Sequence, residues 1–268
     1  MNCTRFILPA MLAVTSIATA SFTLNSNDTV MTSNGYEGIS NSIYASWGSN
    51  SNLQLRIGYL KLTIFTKNGQ DLTLADEDPV FAAVCSEMDE NGVWTASSED
   101  MTVIGVSGAC EAVYGTDGIG ADRADQIHYL YNQYSAGSLL SDWKNGGSHT
   151  VGDDNSISDG VYYAAFQLAT WELTHDSDFD LENTAGDFYL NSWNQSGNDS
   201  DIVAYAKEIV ADVKENYSIN GENHPNLHAL QEVTLSADRQ DVFVVVPEPA
   251  TAFVFLAGSI IAAARRRT

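Results

Sequence analysis

Apolar and polar positions follow two different rhythms along this chain, a two-residue period at both ends and a helical one between. Leu53, Leu55, Ile57 and Tyr59, then Leu60, Leu62 and Ile64, keep the strand period, with a phase change that predicts a bulge or turn near Gly58. Lys67-Asn68-Gly69-Gln70 carries an Asn-Gly turn signal, so Asp71 to Leu74 is expected to begin the next strand of a hairpin. The unbroken apolar run from Val80 to Cys85 predicts a short buried strand with Cys85 at its end, and Met101 to Val106 reads as another. Ser21 to Gly38, rich in Ser, Asn, Thr and Gly, reads as a strand edge or loose lead-in.

The rhythm changes after Asp122. Ile127, Leu130, Tyr131 and Tyr134 share one face of a helix expected over Asp122 to Ser135, with Asp122 as its N-cap. Ser158 or Asp159 is placed to cap a second helix from Gly160 to about Thr174, apolar all round and therefore buried. Asp199 is placed to cap a third, with Ile202, Val203, Ala206, Ile209, Val210 and Val213 as its stripe. Gly146 to Gly160 reads as a polar loop, and strands return at Leu230 to Leu235 and Asp241 to Val246. Strands, then helices, then strands predict an α+β fold: a β-sandwich or barrel with an inserted helical subdomain.

Both termini read as addresses rather than fold. Arg5, the apolar stretch Phe6 to Ile17 and Ala18-Thr19-Ala20 have the order of a secretory signal peptide cut after Ala20. At the other end, Pro247-Glu248-Pro249 precedes an apolar run from Ala250 to Ala264 and then Arg265, Arg266 and Arg267. As helix that run spans roughly 22 Å at about 1.5 Å per residue, short of the roughly 20 residues a bilayer core requires. The basic cluster holds its far end in the cytoplasm. The order and spacing resemble the PEP-CTERM sorting signal of Gram-negative bacteria, which an exosortase recognises and processes. The resemblance implies a transient inner-membrane anchor and a protein exported to the cell surface or extracellular matrix, as in a biofilm. The expected organisation is a signal peptide over 1–20, a folded domain over 21–246 with its helical part at about 122–216, and a sorting tail over 247–268.

The formal net charge of −23 makes nucleic acid an unsuitable partner, because phosphate binding needs clustered Lys and Arg. Acidity of this kind keeps an exported protein soluble. Of three cysteines, Cys3 leaves with the signal peptide, and Cys85 and Cys110 remain. In an oxidising compartment two cysteines default to a disulfide.

A second reading of Cys85 comes from its neighbours. It stands in Ala83-Val84-Cys85-Ser86-Glu87, with an acidic residue two places on. In Gln167-Leu168-Ala169-Thr170-Trp171 a glutamine sits within an apolar helix, and helical spacing puts Tyr163, Gln167 and Trp171 on one face. A buried carboxamide needs hydrogen-bond partners, so packing alone leaves Gln167 unexplained. Together the two segments resemble the thioester domains of bacterial surface adhesins. That resemblance implies an internal thioester between Cys85 and Gln167, shielded by Tyr163 and Trp171. His175 follows this helix, placed either to assist proton transfer or as a C-terminal histidine favoured by the helix dipole. It further implies covalent capture, in adhesion or matrix cohesion, of an amine- or hydroxyl-bearing extracellular protein or glycan. No cofactor or metal is required, and capture happens once per molecule, so the protein is not an enzyme. The competing expectation is a non-covalent β-sandwich matrix protein, structural or carbohydrate-binding, with a Cys85–Cys110 disulfide.

Two weaker signals remain. Asp176-Ser177-Asp178-Phe179-Asp180-Leu181-Glu182 alternates carboxylates as calcium loops do, but Leu181 stands where an EF-hand needs glycine. A solvated acidic loop is the simpler expectation. Glu87 and Glu172 form a conceivable acid–base pair, although nothing in the sequence fixes their separation.

Overall fold

The structure is a computed structural model that describes residues 24–71, 80–86, 98–135, 148–151, 155–219, 221, 223–232 and 241–246. The segments expected as a signal peptide and a sorting tail, Glu87 and the expected continuation of a strand to Leu74 lie outside these residues. Among the described residues no helix is long and apolar enough to cross a membrane.

Two long strands, β1 (Thr29–Trp47) and β2 (Asn50–Lys67), form the antiparallel hairpin on which the sheet is built. Asn68 and Gly69, both with positive φ, turn the chain into the two-residue β3 (Gln70–Asp71), as the Asn-Gly signal predicts. Next come β4 (Val80–Cys85) and β5 (Ser98–Ile104), and the chain closes with β9 (Leu227–Glu232) and β10 (Val242–Val245). The pairings run β2-β4-β10-β9-β5-β1, and β1 pairs back onto β2, so six antiparallel strands close a ring. Of the two expected architectures, the barrel is the one that forms. β8 (Phe188–Ser192) extends the far half of β1 at Tyr44 to Trp47.

The insertion between β5 and β9 carries a one-turn helix α1 (Glu111–Tyr114), then α2 (Gly120–Tyr134), α3 (Asp159–His175) and α4 (Asn198–Asn216). The fold is therefore α+β with a helical insertion. Ser158 caps α3, its hydroxyl accepting from the Val161 N–H at 3.4 Å. The predicted stripe of α4, from Ile202 to Val213, is buried throughout.

Several details differ from the sequence reading. β1 is a strand from Thr29 onward, not a loose lead-in: Thr32 is fully buried, and pairing on both edges overrides the weak strand preference of its Ser, Asn and Gly residues. The irregularity expected near Gly58 falls opposite it, between Gly38 and Ser40. Asp122 and Asp199 are first-turn residues, and the N-cap positions belong to Ile119 and Gly197. Asp199 is instead buried and accepts from the Ser42 hydroxyl. The polar stretch before α3 holds a small hairpin, β6 (Ser148–Val151) with β7 (Asn155–Ser158).

Helix α3 organises the interior. Every residue from Val161 to Asp176 is buried, and the helix packs against β1, β2, β4, α2 and α4. Its Tyr163 hydroxyl sits between two strands, accepting from the Leu60 N–H of β2 at 3.1 Å and donating to the Ala83 carbonyl of β4. Leu60 and Ala83 are register partners, so the phenol is inserted into the ladder itself. Replacing Tyr163 with Phe leaves a buried donor and acceptor facing a ring edge. We expect a loss of about 2 kcal/mol in stability by urea unfolding, with the slope of the transition unchanged.

Candidate functional site

The register of β4 explains where the site forms. Ala83 and Cys85 direct their backbone groups toward the β2 side, and Ser86 directs its N–H toward β10, where it donates to the Asp241 carbonyl at 3.0 Å. The β2–β4 pairing ends at Leu60 and Ala83, so among the described residues no strand lies beside Cys85 on that edge. Unpaired buried backbone groups are costly, and α3 supplies the partners. Gln167, one turn after Tyr163, accepts from the Cys85 N–H through Oε1 at 3.1 Å and donates from Nε2 to the Cys85 carbonyl at 2.9 Å. The side-chain carboxamide thus pairs with Cys85 as the peptide group of a neighbouring strand would.

This clamp joins the two residues that the sequence singles out. Both are buried, Gln167 3 % and Cys85 6 % exposed. The thiol grows from the same residue whose backbone fixes the carboxamide, and the Cys85 N–H points at the oxygen that would carry charge if the Gln167 carbonyl carbon were attacked. Sequence alone does not show that donor, because it belongs to the main chain.

The rest of the site is held by residues with weaker sequence signals. Ser86 also donates its hydroxyl to the Asp241 carbonyl at 3.0 Å, and its own carbonyl accepts from the Thr174 hydroxyl at 3.1 Å. Thr174 extends the row of Tyr163 and Gln167 down the same helix, so its place was readable from spacing. Cys110, fully buried with φ of 61°, donates its N–H to Asp241 Oδ2 at 2.9 Å and directs its Sγ to the Ser86 carbonyl at 3.5 Å. No disulfide joins Cys85 and Cys110, so the alternative pairing is not formed here.

Tyr163 and Trp171, expected as shields, are 0 % and 5 % exposed. Tyr163 also has the ladder role described above, and the Trp171 Nε1 has no hydrogen-bond partner among the described residues. His175 lies at the Ser86 end of α3, 1 % exposed, its ring 4.6 Å from that of Trp47 and its Nδ1 3.2 Å from the Tyr114 hydroxyl. Burial, and then the Arg123 guanidinium, push its pKa down to about 3. The ring is therefore neutral and too weak a base to take up a proton near neutral pH, and it carries no charge toward the helix dipole. Glu172 is buried on another face of α3. Burial first, then the carboxylates of Asp176 and Asp178, push its pKa up to about 9.

No protein-family model matches this chain, and no curated protein matches it. Among solved structures, the N-terminal thioester domain of the fibronectin-binding protein SfbI from Streptococcus pyogenes is similar at 12 % identity, with a TM-score of 0.40. The similarity covers 85 % of this chain and 98 % of that chain.

The clamp gives Gln167 a measurable structural weight. Replacing it with Leu keeps the volume but strands the Cys85 N–H and carbonyl, and is expected to cost roughly 2–4 kcal/mol. Hydrogen exchange at the Cys85 amide should accelerate well before global unfolding in this variant.

Proposed function

We propose that the protein captures an extracellular partner covalently through an internal thioester between Cys85 and Gln167. The observation that carries this reading is the two-point clamp between the Gln167 carboxamide and the Cys85 backbone. It supports the reading because it fixes the acyl group against the backbone of the residue that carries a buried thiol, with a donor already on the acyl oxygen.

The reaction balances without a cofactor. The Cys85 thiol gives up its proton, sulfur bonds to the Gln167 side-chain carbonyl carbon, the carbon–nitrogen bond breaks, and ammonia leaves with the proton. An amine on the partner then attacks the same carbon, forms an amide, and returns a proton to the departing Cys85 sulfur. A hydroxyl partner would form an ester by the same path. Burial of Cys85, Gln167, Tyr163 and Trp171 supports persistence of the acyl group against water. The chemistry runs once per molecule, as binding rather than turnover.

In this reading the signal peptide delivers the chain across the inner membrane, and an exosortase removes the tail after Pro247-Glu248-Pro249. The domain is left at the cell surface or in the matrix, where proteins and glycans offer amines and hydroxyls.

A purely structural role is the competing reading, and the same clamp favours it, since a carboxamide that completes a strand edge needs no further purpose. Intact mass separates the two. A thioester leaves the chain short by one ammonia and consumes one methylamine, exposing one thiol. A mass that includes both the thiol and the amide, unchanged by methylamine, would leave Gln167 a structural residue. Cys85→Ala spares the backbone clamp, so it is expected to abolish methylamine uptake while shifting stability by no more than about 1.5 kcal/mol. Cys110→Ala is expected to retain uptake.

A further inference from the structure

The chain turns out of the sheet immediately after the residue that carries the candidate nucleophile. In a regular antiparallel strand the N–H and carbonyl of one residue point to the same edge. Ser86 departs from that rule. Its N–H donates to the Asp241 carbonyl on the β10 side, whereas its own carbonyl accepts from the Thr174 hydroxyl of α3.

The turn is pinned from three directions. The Ser86 hydroxyl donates to the same Asp241 carbonyl at 3.0 Å, so both donors of Ser86 end on one oxygen. Asp241 is tied in turn to Cys110, accepting its N–H through Oδ2 at 2.9 Å, and the Cys110 Sγ faces the Ser86 carbonyl at 3.5 Å. A thiol is a weak donor, so the Thr174 hydroxyl, at 3.1 Å, is the stronger group on that carbonyl. Ser86 and Thr174 are both fully buried, so water does not replace a bond lost here.

The consequence for Cys85 follows from peptide planarity. The Cys85 carbonyl and the Ser86 N–H belong to one rigid plane. Gln167 Nε2 holds its carbonyl end at 2.9 Å, and the Asp241 carbonyl holds its N–H end at 3.0 Å. Two such points still let the plane tilt about the line that joins them. The Ser86 carbonyl, one peptide further along, lies off that line, and Thr174 fixes it. A tilt would rotate the Cys85 backbone and swing its Cα–Cβ bond relative to the carboxamide. Thr174 and Gln167 belong to the same buried helix, so the acyl group and the group that fixes the turn move as one body.

We propose that Thr174 is a positioning residue for thioester formation, aiming the Cys85 side chain at the Gln167 carbonyl carbon through the Ser86 carbonyl. This inference rests on the reading of Cys85 and Gln167 as a thioester-forming pair. Thr174 supplies neither nucleophile nor acyl group, and the balance of the step is unchanged: sulfur bonds to carbon, the carbon–nitrogen bond breaks, and ammonia leaves with the thiol proton. A misplacement of about 1 Å costs an intramolecular step on the order of 100-fold in rate.

Thr174 has an ordinary structural alternative, because its hydroxyl also reaches the Thr170 and Trp171 carbonyls at 2.9 and 3.2 Å. Packing and positioning nevertheless predict opposite results at this residue. Thr174→Val keeps the shape and removes the hydroxyl, whereas Thr174→Ser keeps the hydroxyl and removes a methyl group. In the test, full-length chain recovered unfolded, with the Cys85 thiol and Gln167 amide intact, is refolded, and loss of one ammonia is followed by intact mass. The expected rates are T174S within about threefold of the parent and T174V slower by roughly tenfold or more. S86A, which removes the hydroxyl bond to Asp241 and leaves Thr174 in place, is expected to fall between them. Urea unfolding of each variant reports stability separately.

Equal rates for T174V and T174S, or the reverse order, overturn the positioning role while leaving the thioester standing. If T174V does not fold, S86A decides, and formation at the parent rate in S86A overturns the proposal. A folded parent that never loses ammonia overturns the thioester reading itself, and this inference with it.

Discussion

Two repeat lengths nearly coincide where α3 meets β4. Four residues of helix advance about 6 Å, and two residues of strand about 6.6 Å. A helix row at i and i+4 can therefore serve alternate residues of a strand, and Tyr163 and Gln167 do so at Ala83 and Cys85. Much else follows from that match. β2 can part from β4 without leaving bare backbone, and the sheet can close its ring elsewhere. The helix must then lie deep enough to touch main chain, which is why it is buried on every side.

A helix so deeply placed concentrates polar costs at its end. Thr174, His175, Asp176 and Glu172 are all within the last turn or its cap, and all are buried. The first three find partners in Ser86, Tyr114 and the loop N–H groups. His175 meets the cost by staying neutral, and Glu172 by holding its proton. The same region therefore joins a fully buried helix to side chains that burial holds neutral.

What the sequence made legible was local. The apolar run of β4, the Asn68-Gly69 turn, the Ser158 cap and the stripe of α4 each follow from chemistry within a few residues. Gln167 was legible as an anomaly, a polar group where packing wants Leu, while its association with Cys85 was implied only by the resemblance to thioester domains. That the association runs through the Cys85 main chain was not legible, since backbone direction depends on register with β2 and β10. The first half of β1 was hidden for a related reason. Its Ser, Asn and Gly residues have little strand preference, and only partners on both edges make it a strand. Asp122 and Asp199 look like caps by type, but tertiary contacts fixed the helix starts at Ile119 and Gly197.

Because the clamp reads Cys85 by its main chain, fold and chemistry are coupled unequally at the two positions. The scaffold is indifferent to the side chain at 85 within its volume, whereas it depends on the carboxamide at 167. A lineage without the proposed reaction could drift freely at the first position and would still be held at the second. Descendants carrying the glutamine without the cysteine would then be intact relics, their ancestry recorded in the residue that the architecture could not release.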